Sequence, residues 1–341
     1  ATADNYNIKW DGETLTLKGA TITQGSYKGA AIYCGEDAGI HLVLVGDSTV
    51  TVPGGDASRG IYTGGELTIS GDGTLDVSGG GISLFVNGDL TISDGTVTAT
   101  GGGVSANDAY SYGIFTPHDI TISGGTVTAE GGTASTTGTG YAESFGISVR
   151  DLTVSGGTVT ATGGTVTATG GPAPDSYAYS CGIDASDITI SGGTATATGG
   201  TATGSYAESR GIYVINDLTI SGGEVTAEGG TAFADGSEGY AVSYGIYVHS
   251  LNSLPGSITI SGGIVNADGG QASVTAADGG IAGSYGISVY GSIDISDGIV
   301  NADGGTVSGN NTYSCGIYVT HGLTISGGEV TAEGTTQAVR I

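Results

Sequence analysis

The chain has 341 residues, 69 of them glycine, and carries seven Lys+Arg against 33 Asp+Glu for a net charge of −26. So few basic residues exclude a nucleic-acid surface, which needs cations to neutralise phosphates, and they disfavour anionic membranes. No apolar run is long enough to insert into a bilayer, which leaves cationic partners, neutral glycans and divalent cations open.

The first segment, residues 1–30, reads as an N-terminal cap and first coil around Trp10. Ala31-Ile32 then opens a motif that recurs along the chain as Gly60-Ile61, Gly81-Ile82, Gly113-Ile114, Gly146-Ile147, Gly182-Ile183, Gly211-Ile212, Gly245-Ile246, Gly286-Ile287 and Gly316-Ile317. The spacing runs from 21 residues (Gly60 to Gly81) to 41 (Gly245 to Gly286). A recurrence of this length marks a solenoid or array. Three short segments follow each motif, as in Gly211-Ile212-Tyr213-Val214, Leu218-Thr219-Ile220-Ser221 and Glu224-Val225-Thr226-Ala227-Glu228. Each alternates apolar and polar residues, the period of a half-buried strand, and glycine pairs mark the corners.

Strands this short gain partners by stacking coil on coil. The expectation is an all-β, right-handed, single-stranded parallel β-helix of about ten coils and three sheets. It forms one domain over 1–341, with stacked coils in 31–333 and the C-terminal end in 334–341. Ile61, Ile114, Ile147, Ile212, Ile246, Ile287 and Ile317 should form one core ladder. The Ile69-to-Ile325 and Val97-to-Val330 positions should form two more. Length varies after the third strand, as in Gly131 to Phe145 and Gly269 to Tyr285, so one corner should carry variable loops. In repeat proteins such a face is often the binding face. The tandem Thr158–Gly164 and Thr165–Gly171 reads as a duplication within one loop. Tyr141, Tyr177, Tyr206 and Tyr240 should pack these loops down. Cys181 and Cys315 share a repeat position four coils apart, about 19 Å at ~4.8 Å per coil, too far for a disulfide.

The run Trp10-Asp11-Gly12-Glu13-Thr14-Leu15-Thr16-Leu17, then Ile40-His41-Leu42-Val43-Leu44 and Gly65-Glu66-Leu67-Thr68-Ile69-Ser70, resembles secreted, repeat-rich β-helix proteins of Gram-positive bacteria. These are described as carbohydrate-binding-domain or pectate-lyase-like proteins, and the resemblance covers nearly the whole chain. It implies an extracellular or cell-surface location, within a longer surface protein. Carbohydrate-binding members carry dense Asp clusters for calcium near Asp-Gly-Ile turns. This sequence has aromatic, Arg or Cys residues before most Gly-Ile pairs instead.

Two columns stand out as candidate sites. Tyr62, Phe115, Tyr213, Tyr247 and Tyr318 follow the Ile of strand one and should point outward, with Ser148, Asp184 and Ser288 interrupting the row. Such a stripe either stacks sugar rings or stiffens the face. Asp89, Asp119, Asp151, Asp187 and Asp217 precede strand two in successive coils. They form either a row of Ca²⁺ sites or acceptors for backbone N–H groups at a turn. No cofactor is required on this reading, with calcium the one candidate ion. The serine row (Ser111, Ser144, Ser180, Ser209, Ser243) lacks a paired His and reads as a hydrogen-bonded ladder, not as nucleophiles. The Thr-x-Thr rows of strand three form no regular lattice, because Glu and Asp interrupt them. The expected function is a non-enzymatic extracellular module that binds a glycan or polysaccharide. A passive stalk is the alternative, and a polysaccharide lyase or hydrolase the second alternative.

Overall fold

The structure, a computed structural model, describes residues 6–23, 29–36, 38–53, 55, 58–169, 176–235, 239–249, 255–275 and 279–341. The chain is a right-handed parallel β-helix in which each strand pairs in register with its equivalents in the coils above and below. The first stack runs from Ala30–Glu36 to Gln337–Arg340, the second from Thr14–Lys18 to Gly322–Ile325, the third from Thr21–Thr23 to Glu329–Gly334. Identical residues meet across the coils, for example Ile212 with Ile246, Ile220 with Ile260 and Val127 with Val159. These ladders fill one continuous core of Ile, Leu and Val side chains.

The register corrects one alignment. Ile61 pairs with Leu84, and Leu84 with Ile114, so Ser83-Leu84 takes the Gly-Ile position in that coil. Ile82 instead lies beside Arg59 and Tyr112. Burial decides the register: Leu84 is sealed in the core, and any shift by one residue would turn it outward.

The expected count of three sheets is also corrected. A fourth stack of seven parallel strands lies after the third, from Val104–Ser105 through Ala134–Thr136, Val166–Ala168, Thr201–Gly204, Thr231–Ala234 and Gln271–Val274 to Thr306–Ser308. The segments read as variable loops therefore open with an ordered strand, and Val166–Ala168, within the tandem Thr165–Gly171, is one of these strands. Gly170 and Gly171 lie outside the described residues. The fourth stack packs against the first halves of long strands such as Gly140–Val154 over its own narrow core, made almost wholly of alanine. The coil thus has two lobes, a wide Ile/Leu/Val lobe and a thin alanine lobe, joined at a neck.

Serine and glycine build that neck. Ser180 Oγ donates to Gly164 O at 2.8 Å and accepts from Gly200 N at 2.9 Å, and Ser144, Ser209 and Ser243 repeat the pattern. The expected ladder of serine hydrogen bonds is what the structure shows. Glycine is required beside it: a Cβ on Gly200 would sit 2.2 Å from the carbonyl oxygens of Gly163 and Gly164. At the N-terminal end, Ile8–Trp10 pairs antiparallel with Thr14–Lys18, folding a hairpin onto the first strand of the second stack. No helix of the described residues is long and apolar enough to cross a membrane.

Candidate functional site

The long strands of the first stack cross from one lobe to the other, and they bend as they do so. In Gly140–Val154 the inward residues are Ala142 and Ser144, then Ile147 after the neck, and the strand pairing skips Gly146. Outward side chains on either side of the bend converge. Tyr112 and Phe115 have ring centroids 5.0 Å apart, and Tyr244 and Tyr247 are 4.4 Å apart. The outer face is therefore concave, and residues at its bottom are buried although they point away from both cores: Phe145 and Tyr244 are each only 6% exposed. At the N-terminal end of this groove lies a pocket of about 320 Å³ lined by Ile82, Val104, Ala106, Asp108, Tyr110, Tyr112 and Phe115.

The structure places Tyr62, Phe115, Tyr213, Tyr247 and Tyr318 in one column on this face, and adds Tyr33 and Phe85, which the sequence reading missed. The signal for Phe85 was present, because Leu84-Phe85-Val86 has the form of Ile212-Tyr213-Val214. The rings do not present a flat stripe of faces. Tyr33 stacks on Tyr62 (5.1 Å, 5° between planes) and Tyr62 on Phe85 (5.1 Å, 12°), so neighbours cover each other's faces. Tyr141, Tyr177, Tyr206 and Tyr240 form a second stacked column at the outer margin, with Tyr141–Tyr177 at 5.0 Å and Tyr206–Tyr240 at 4.5 Å. They stand on a strand beside the groove, which corrects their reading as loop closers.

The column is interrupted at Ser148 and Asp184, which lie in register between Phe115 and Tyr213. At about 4.8 Å per coil, a slot of roughly 14 Å separates those two rings. Polar chemistry gathers around it. Glu208 and Arg210 form an ion pair, both nearly buried, and Tyr206 Oη donates to Glu208 Oε1 at 2.6 Å. The Arg210 guanidinium lies over Tyr213 at 4.4 Å, with Tyr179 at 5.1 Å and Tyr247 at 5.5 Å. Its Nε is buried without a hydrogen-bond partner. Burial pushes Glu143 up to about 7, helped by the charge of Asp184 and opposed by Arg210. Burial likewise pushes Asp184 up to about 6, against the pull of Arg210. Neither carboxylate accepts a hydrogen bond from any described residue. Burial also holds Tyr179, Tyr213 and Tyr247 protonated by raising their phenols. The residues that broke the aromatic pattern in the sequence thus mark the part of the groove where its charged groups gather.

The Asp column sits elsewhere, at the corner before the second stack, and forms a single file. Asp119 pairs with Asp151, Asp151 with Asp187, and Asp217 with Ser257. Three of these carboxylates accept the backbone N–H one coil on: Asp89 from Asp119 (3.2 Å), Asp187 from Asp217 (3.1 Å) and Asp217 from Ser257 (2.9 Å). Arg150 Nε reaches Asp119 at 2.9 Å and Asn216 Nδ2 reaches Asp187 at 3.0 Å. Among the described residues no three His, Cys, Asp or Glu side chains converge to hold a metal ion. The column is geometrically a ladder of turn acceptors. Cys34, Cys181 and Cys315 are all free.

A family model described as beta helix repeat matches residues 90–114, 120–147, 152–164, 162–187, 218–246 and 323–334. Three of these stretches, 90–114, 120–147 and 218–246, run from the first residue of a Leu/Ile-Thr-Ile strand to the Ile of the next Gly-Ile, one coil each. No curated protein and no solved structure matches the chain.

Proposed function

We propose that this β-helix repeat protein is a non-enzymatic extracellular surface module that binds a glycan or polysaccharide chain lengthwise in its concave face. The observation that carries the reading is the interrupted aromatic column. Stacked rings wall a groove parallel to the helix axis, and at Ser148 and Asp184 the walls part to leave a slot with ring, carboxylate and hydroxyl groups around it. An extended sugar chain offers apolar ring faces and hydroxyl edges, which aromatic rings and buried polar groups recognise together. Placement outside the cell follows the resemblance to secreted β-helix proteins.

Affinity electrophoresis against neutral and acidic polysaccharides, with calcium and with chelator, tests it. Retardation by at least one polymer, lost in a Phe115→Ala/Tyr213→Ala variant and indifferent to chelator, supports the groove. No retardation by any polymer leaves a rigid spacer as the better reading. A hydrolase is the second reading, favoured by the two raised carboxylates in adjacent coils, Glu143 and Asp184. Paired carboxylates of unequal proton affinity are what glycoside hydrolysis uses. Release of reducing ends from a retarding polymer, abolished by Glu143→Gln, would replace binding with catalysis.

A further inference from the structure

We infer that the slot selects a sugar chain carrying free ammonium groups, an amino sugar polymer, and that Asp184 and Glu143 are the residues that select it. The inference rests on the groove reading and names the ligand class of that same site.

The argument is one of unmatched charge. Three carboxylates border the slot and one guanidinium serves them. Arg210 is committed to Glu208, which also takes the Tyr206 hydroxyl. Asp184 and Glu143 are half-buried, point outward into the groove and accept no hydrogen bond from any described residue. A half-buried carboxylate with no donor from its own chain keeps part of the cost of desolvation, and such a group calls for a donor or a positive charge from outside the chain. A neutral hydroxyl supplies a donor but leaves the charge uncompensated. A calcium ion takes six to eight oxygens, and among the described residues no three candidate ligands converge.

An ammonium group has three donors and one charge, enough to serve both carboxylates at once. Phe115, in register with Ser148 at the edge of the slot, is the aromatic ring such a cation would meet. The rigidity of the carrier decides between a sugar and a basic peptide. A lysine ammonium sits on a four-carbon stem whose rotamer freedom is lost on binding, whereas an ammonium fixed to a pyranose ring arrives already oriented. The ring also brings an apolar face for the aromatic walls.

Binding of a cation favours the ionised carboxylates. Since these hold protons up to about pH 6 and 7, binding near pH 6 must release protons.

The test is calorimetry at about pH 6, in two buffers of different ionisation enthalpy, with a glucosamine hexamer, its N-acetylated counterpart and tetralysine as probes. The expected result is that the glucosamine hexamer binds about tenfold or more tighter than the acetylated one, with proton release. The Glu143→Gln/Asp184→Asn variant should lose both the preference and the release. Preference that survives in this variant would trace to the overall charge of −26 and overturn the inference. Equal binding of the two hexamers overturns it and leaves the groove reading standing. Tetralysine binding as tightly as the glucosamine hexamer, and equally sensitive to the variant, overturns it in favour of a basic peptide. If neither hexamer binds while a neutral polymer is retarded in electrophoresis, the ligand class is wrong and the groove remains.

Discussion

Replacing Glu143 by glutamine should stabilise the protein at alkaline pH and leave it nearly unchanged at acid pH. The folded chain holds the Glu143 proton up to about pH 7, against an ordinary value of 4.5. The folded state therefore binds more protons than the unfolded state between those limits, and stability falls as pH rises through them. The full contribution is present below about pH 4.5 and gone above about pH 7. At 1.36 kcal/mol per pKa unit the difference is worth about 3 kcal/mol, and partial access of water to the side chain reduces it to about 2 kcal/mol. Asp184 contributes in the same sense, its carboxyl being held up to about 6. The two repel one another, so the values belong to the pair and their contributions do not add.

The measurement is urea unfolding at pH 5 and pH 8 for wild type, Glu143→Gln and Glu130→Gln, the last a carboxylate on the exposed face of the third stack. The general repulsion of an acidic chain affects all three, and the difference between variant and wild type cancels it. Glu143→Gln should gain about 2 kcal/mol on wild type at pH 8 and within about 0.5 kcal/mol at pH 5, with Glu130→Gln flat at both. An equal effect of Glu143→Gln at the two pH values would refute the claim that the groove enclosure, rather than the amide itself, is responsible.

Ser180→Ala removes both hydrogen bonds of one neck rung and strands a part-buried carbonyl and a part-buried N–H, so it should cost about 1–3 kcal/mol in urea unfolding. Ser135→Ala, on the exposed face of the fourth stack, should stay within about 0.5 kcal/mol, and equal costs would remove the neck from the account of stability. Arg150→Ala breaks exposed ion pairs to Asp119 and Asp151 and should cost less than about 1 kcal/mol; a larger loss would make the Asp column structurally essential. With a thiol reagent under native conditions, the half-buried Cys34 should react first and Cys181, sealed under the groove with its thiol held protonated, last; the reverse order would contradict the packing at Arg210.

Much of this fold was legible because its determinants are local and repeated. The Gly-Ile, Leu/Ile-Thr-Ile and Val-Thr-Ala segments alternate with period two, and a parallel stack is the arrangement that buries every apolar position at once. The fourth stack was missed for a physical reason. Its strands, such as Thr201-Ala202-Thr203-Gly204, bury mostly alanine, and alanine carries little of the hydrophobic contrast by which a strand is recognised. The signal that could have found it is spacing: Ala134, Val166, Ala202, Ala232 and Ala272 each stand two residues past the glycine pair that follows the third strand of their coil. The misplaced coil at Gly81-Ile82 has a similar origin. Gly and Ile are common enough here to match by chance, whereas Leu84 is set by burial in three dimensions.

The site followed the opposite logic. A regular column of aromatics stands out as a candidate binding surface because regularity is visible in a sequence, yet in the folded chain regularity lets the rings satisfy one another. Stacking at 5.1 Å between Tyr33, Tyr62 and Phe85 consumes the faces a ligand would need. Where Ser148 and Asp184 replace aromatics, the stack is broken and a half-buried carboxylate stands near the covered Glu208–Arg210 pair. In a solenoid each repeat is satisfied by its neighbours, so departures from the repeat are where binding capacity accumulates. The groove's most informative residues are accordingly those that a repeat alignment discards: Glu143 opposite Tyr179, Arg210 opposite Cys181, and Asp184 between Ser148 and Tyr213.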